Sequence, residues 1–84
     1  MSAPIVSERL RSVRNALKLT QPQFCVLLGH RGVDVEVDLL KQWETRTEPP
    51  TRRLRSVVEG LGLNANYMFG LSDVMWGPVV ADAR

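Results

Sequence analysis

Apolar residues recur along this chain at helical spacing, in short runs bounded by residues that start or stop helices. Val6, Leu10, Val13 and Leu17 stand four, three and four apart, the stripe of an amphipathic helix, with Ser7 as its candidate cap. Thr20 followed by Gln23 makes a capping box for a second helix, and Pro22 falls in its first turn, where a missing N–H does little harm. Phe24, Leu27 and Leu28 give that helix its apolar side, and Gly29 is its expected stop. Leu39, Leu40 and Trp43 mark a third helix over about 36–45. Pro49 and Pro50 break the chain. Thr51 then caps a fourth helix, with Leu54, Val57, Val58 and Leu61 inward and Gly62 at its end. Asn64 caps a short fifth, "ANYMF", stopped by Gly70. The expected fold class is all-α.

Two stretches depart from that periodicity. From Gly29 to Asp34 it lapses, and Val33, Val35 and Val37 alternate with acids, which reads as a short extended excursion before the third helix. After Gly70, "LSDVMWGPVVADAR" is apolar yet holds Gly77 and Pro78, so an irregular or extended tail is expected. No internal repeat or low-complexity tract interrupts this order. The organisation expected is a domain over 1–72 and a tail over 73–84.

Size and composition narrow the class. An 84-residue chain has room for one modest core. With 44% hydrophobic and 24% charged residues it is neither disordered nor fibrous in composition. No apolar run approaches the roughly 20 residues of a membrane span. "MSAPIVSERL" lacks the basic and apolar regions of a secretory signal, and the single cysteine, Cys25, fits a reducing cytoplasm. Cys25 itself reads as a packed structural thiol.

Charge adds more through its distribution than through its net value of +2. Residues 1–18 set Arg9, Arg11, Arg14 and Lys18 against Glu8, a balance of +3. Residues 51–60 set Arg52, Arg53 and Arg55 against Glu59, a balance of +2. Between them, residues 30–48 set Asp34, Glu36, Asp38, Glu44 and Glu48 against Arg31, Lys41 and Arg46, a balance of −2. Two basic segments flank an acidic one, which fits either solvated helix faces or a phosphate footprint. Arg52, Arg53 and Arg55 also open the fourth helix, the end where a cation opposes the helix dipole. A phosphate or an acidic partner would account for them, as would plain solubility. No nucleophile–histidine–acid set, Gly-rich phosphate loop or metal cluster is present, so no enzymatic activity, cofactor, metal or small-molecule ligand is expected.

The order of these signals resembles the lambda repressor/Cro-like (XRE-type) helix-turn-helix family. The residues that carry it are "LTQ" opening the second helix, "WE" near the end of the third, Pro50 six residues past that glutamate, and "LGLNANYMFG" closing the domain. The resemblance spans roughly residues 7–72. It implies a compact five-helix DNA-binding domain whose third helix enters the major groove, a groove just wide enough for one α-helix. By motif position Val37, Asp38 and Gln42 fall where the family contacts bases, with Lys41 facing outward beside them. Gln21 falls where it meets the DNA backbone, and Arg46 where it meets phosphate. Arg52 and Arg53 join them as candidate phosphate contacts.

The chain departs from the family at two places. The turn between the second and third helices is lengthened by about five residues around "HRGVD", against the usual 3–4-residue turn. Arg46 replaces the glycine many members carry after "WE", which would cost about 1 kcal/mol in a left-handed conformation. The acids of the enlarged turn, Asp34 and Glu36 with Asp38, admit three readings: capping and solvation, acceptance of a hydrogen bond from cytosine N4, or a surface for another protein. The first expectation is thus a cytoplasmic transcriptional regulator of the phage Cro or repressor kind. It would bind an operator in double-stranded DNA as a homodimer, using Val74, Met75, Trp76 and Val79 of the apolar tail. The alternative is a protein-binding module, an antirepressor or inhibitor, acting through segment 32–38.

Overall fold

The computed structural model describes residues 4–77. Five helices follow one another: α1 (Ile5–Ala16), α2 (Gln21–His30), α3 (Val37–Thr45), α4 (Thr51–Leu61) and α5 (Ala65–Met68). Among the described residues there is no strand, only a lone antiparallel bridge between Leu63 and Trp76. The all-α expectation holds at this level. α1 packs against α3 and α5, and α2 against α3 and α4, so α3 is gripped by the first two helices.

The core joins Val6, Leu10 and Val13 of α1 to Phe24 and Leu28 of α2, Leu40 and Trp43 of α3, and Leu54 and Val57 of α4. Leu63, Tyr67 and Met68 close it at the carboxy-terminal end. Leu17, Val58 and Leu61 pack against its edge and are only partly buried. Among the described residues no helix is long and apolar enough to cross a membrane.

Most helix ends follow the local chemistry, and three differ from expectation. The Thr20–Gln23 capping box is complete, with Gln23 N donating to Thr20 Oγ1 and Thr20 N to Gln23 Oε1. Asn64 caps α5 by accepting from Asn66 N. Ser7, however, is no cap. α1 begins two residues earlier behind Pro4, whose restricted φ is ready for a helix start, and Ser7 lies buried inside the helix. Thr51 is likewise the first residue of α4 rather than its cap, with Pro50 in the capping position. Gly29 does not stop α2. The helix runs on to His30 and closes through Gly32 N to Gly29 O (3.2 Å) and Val33 N to Leu28 O (2.8 Å). That closure needs a left-handed residue, and Gly32 supplies it at φ +86°.

α4 ends as expected, with Gly62 at φ +69°. The end of α3 needs no such residue. Arg46 sits at φ −128°, so the left-handed cost expected for it is absent. Gln42 O accepts from both Arg46 N and Thr47 N at 2.9 Å, and the chain leaves the helix from there.

The tail is irregular as far as Gly77 and folds back over the α4–α5 connection. Asn64 N donates to Met75 O (2.9 Å) and Gly77 N to Gly62 O (3.0 Å). Asn64 Nδ2 reaches Val74 O (3.0 Å), and Met75 packs against the core.

Candidate nucleic-acid interface

α3 divides cleanly into two faces. Leu40, Trp43 and Glu44, spaced i, i+3 and i+4, point inward and are buried. Val37, Asp38, Lys41, Gln42 and Thr45 share the opposite arc, and Arg46 follows them. All but the half-buried Val37 are exposed. The four residues expected to read bases therefore lie on one face of one helix. Thr45 Oγ1 donates to Lys41 O at 2.7 Å, which keeps its hydroxyl on the helix backbone.

The inner face holds a carboxylate that the sequence did not flag. Glu44 is 1% exposed. Arg14 of α1 donates to it through Nε (2.8 Å to Oε2) and Nη2 (3.0 Å to Oε1), and through Nη1 to Leu19 O (3.0 Å). Gln21 at the start of α2 adds Nε2 to Oε1 at 3.2 Å. A buried carboxylate without such partners would be costly, so its three donors from α1 and α2 fix both its position and that of the helix carrying it. A signal was available: Glu44 stands four residues after Leu40 and beside Trp43, on the buried arc. The pair also changes the charge picture. With Arg14 and Glu44 compensating each other, the amino-terminal balance falls from +3 to +2 and the acidic segment's from −2 to −1.

The cations of the basic segments fare differently from one another. Arg52 and Arg46 are exposed. Arg53 is half-buried: its Nη2 donates to Asp34 O, and its guanidinium carbon lies 5.5 Å from the Trp43 ring centroid. Arg55 pairs with Glu59 one helical turn on (3.2 Å), both exposed, an arrangement worth little. Arg9 lies over the Tyr67 ring at 4.3 Å and near Asp73 at 3.8 Å. Gln21 keeps one side-chain N–H beyond its bond to Glu44.

The enlarged turn comprises residues 31–36. Its valines face in, with Val33 and Val35 buried, and its acids face out, with Asp34 and Glu36 exposed. The alternation read from the sequence is thus an alternation of burial in a non-helical turn with its own apolar anchors, and its last residue, Glu36, is extended. Glu36 occupies the capping position of α3, yet its side chain makes no capping hydrogen bond. Asp38 lies in the first turn of the helix. Neither these two nor Asp34 forms an ion pair among the described residues.

Cys25 is partly buried against the core. Burial first, and the Glu44 carboxylate second, push its thiol above the usual value. His30 is exposed at the end of α2.

Of the tail residues expected at a dimer contact, Val74 and Trp76 are exposed and Met75 is half-buried, while Val79 lies outside the described residues. Ile5, Phe69 and Leu71 are further large apolar side chains open to solvent. An apolar groove of about 570 Å³ runs beside the tail, lined by Leu54, Val58, Leu63, Phe69 and Gly77 among others. Comparison with family models, with curated proteins and with solved structures finds no match for this chain.

Proposed function

We propose that this protein is a small sequence-specific DNA-binding transcriptional regulator with a lambda repressor-like fold, acting in the cytoplasm as a homodimer on a palindromic operator. The observation that carries the reading is the clamped helix. α3 is held from behind by Leu40, Trp43 and the Arg14–Glu44–Gln21 network, and its opposite arc is polar and open. A rigid bundle that presents one helix in this way suits the width of the major groove. In this reading Gln42 bonds a base edge, Asp38 accepts from cytosine N4, Lys41 reaches guanine or a nearby phosphate, and Val37 meets a thymine methyl. Gln21, Arg46 and Arg52 meet phosphate and set the register. Incubating the purified protein with random-sequence duplex DNA and sequencing what it retains tests the reading. Enrichment of a two-fold symmetric motif with half-sites about 10 bp apart is expected. Retention without any enriched sequence, or no retention at moderate salt, overturns it.

One observation favours a second reading, a protein-binding module such as an antirepressor. Asp34, Glu36 and Asp38 stand exposed around the start of α3 without ion-pair partners among the described residues. Under that reading, replacing Asp34 and Glu36 abolishes capture of a basic protein partner, and the protein shows little affinity for DNA at physiological salt.

A further inference from the structure

We infer that Arg53 is a positioning residue that ties the enlarged turn to the inner face of α3, rather than a phosphate contact. Arg52 and Arg55 on either side of it are exposed, whereas Arg53 turns back against the body of the protein. Its Nη2 donates to the backbone carbonyl of Asp34, nineteen residues earlier, and its guanidinium lies over the indole of Trp43. One side chain of α4 thereby touches both the middle of the turn and the inner face of α3. The two ends of the turn are held otherwise: Val33 N donates to Leu28 O at the α2 side, and Glu36 O accepts from Leu40 N at the α3 side. Among the described residues, the polar tie to the stretch between them is the one Arg53 makes.

The geometry also identifies which chemistry the position needs. Nε of Arg53 is shut off from solvent and has no partner among the described residues, a cost that the Nη2 bond and the aromatic face beneath it offset. A planar guanidinium can stack on an indole and reach a carbonyl at once. The compact ammonium of lysine cannot match both contacts. Because the acceptor is a backbone oxygen, the Asp34 carboxylate is not required. The inference about the turn stands on the fold alone. Its consequence for DNA, that Arg53 serves discrimination rather than charge neutralisation, rests on the DNA-reading proposal above.

The test compares Arg53→Lys and Arg53→Met with Arg52→Ala and Asp34→Ala, first in the free protein. Amide hydrogen exchange at Val33 and Leu40, the hydrogen-bonded amides at the two ends of the turn, is expected to quicken about tenfold in both Arg53 variants, relative to the α1 core amides of the same protein. The Trp43 indole N–H resonance is expected to move with it. Arg52→Ala and Asp34→Ala should leave both unchanged. On the selected DNA site, both Arg53 variants should lose discrimination against random DNA by about tenfold while keeping the salt slope. Arg52→Ala should lower the slope by about one and keep discrimination. Unchanged exchange and an unchanged indole resonance in Arg53→Met would overturn the inference. So would full rescue by Arg53→Lys together with a slope lowered by about one in Arg53→Met, the signature of a phosphate contact. If the wild-type protein selects no DNA sequence, the DNA proposal fails alone, and exchange in the free protein still decides the role of Arg53.

Discussion

Arg14 and Glu44, thirty residues apart in the chain, meet through two N–H···O bonds of 2.8 and 3.0 Å, one to each carboxylate oxygen, with the carboxylate out of reach of water. Such a pair resists the loss of either partner more than the loss of both, because one alone leaves an uncompensated buried charge. Arg14→Ala is expected to cost about 3–5 kcal/mol in urea denaturation. The double replacement Arg14→Met with Glu44→Leu should recover most of that loss. Equal costs for the single and double variants would show that packing, not charge, dominates there.

Leu40 is fully buried between α3 and the helices behind it. Leu40→Ala should therefore cost about 2–5 kcal/mol of stability. A change near zero would mean that α3 is not seated against the core by this side chain.

The exposed arc of α3 gives the DNA reading its sharpest test. Gln42→Ala should cost about 1–3 kcal/mol on the best site and relax its sequence preference. Arg46→Ala should weaken all sites alike and lower the salt slope by about one. Replacing Asp34 and Glu36 together with Ala should strengthen binding modestly and leave specificity intact, since both carboxylates lie outside α3. If Gln42→Ala leaves affinity and specificity untouched, the groove-reading role of this helix is lost.

Self-association is best probed without removing the tail. Ending the chain at Leu71 would also strip the Met75 and Gly77 hydrogen bonds and the packing of Met75, so a failure to dimerise would be ambiguous. Val74→Ser changes a 62% exposed side chain instead. Light scattering at tens of micromolar should report a dimer for the wild type and a weakened one for Val74→Ser. A monomeric wild type would leave the exposed apolar residues without that purpose.

Cys25 gives a prediction in pH. Its thiol titrates above the usual value in the folded protein, through burial and then through Glu44. The corresponding stability is fully present below the unfolded thiol's pKa and is lost as pH rises through the folded one. At mildly alkaline pH, iodoacetamide should label Cys25 more slowly in the folded than in the urea-unfolded protein. Cys25→Ala should flatten the alkaline fall in stability.

The sequence made the helices legible because their starts and stops rest on local chemistry: the Thr20–Gln23 box, Pro49 and Pro50, Gly62 and Asn64. It misled where two residues could serve the same role. Gly29 and Gly32 both suit a helix stop, and only the second lies where the chain must turn left-handed. Ser7 suited a cap by type, but Val6 and Leu10 draw it inside α1. The site was legible as a face and not as a mechanism of support. Periodicity places Lys41 and Gln42 together, whereas Arg14, which holds Glu44, and the Asp34 carbonyl, which holds Arg53, lie thirty and nineteen residues away from them. Such contacts are properties of tertiary packing, and no local pattern announces them.

The valines of the enlarged turn impose a parity on it. Val33 and Val35 are buried while Asp34 and Glu36 face water, a two-residue alternation of burial along the turn. Inserting or deleting one residue between Val33 and Val35 would put the two valines out of step, so that one of them would no longer face the core. A change of two residues would keep the sides as they are. A one-residue change in the length of this turn should therefore cost more stability than a two-residue change, because it displaces a buried valine.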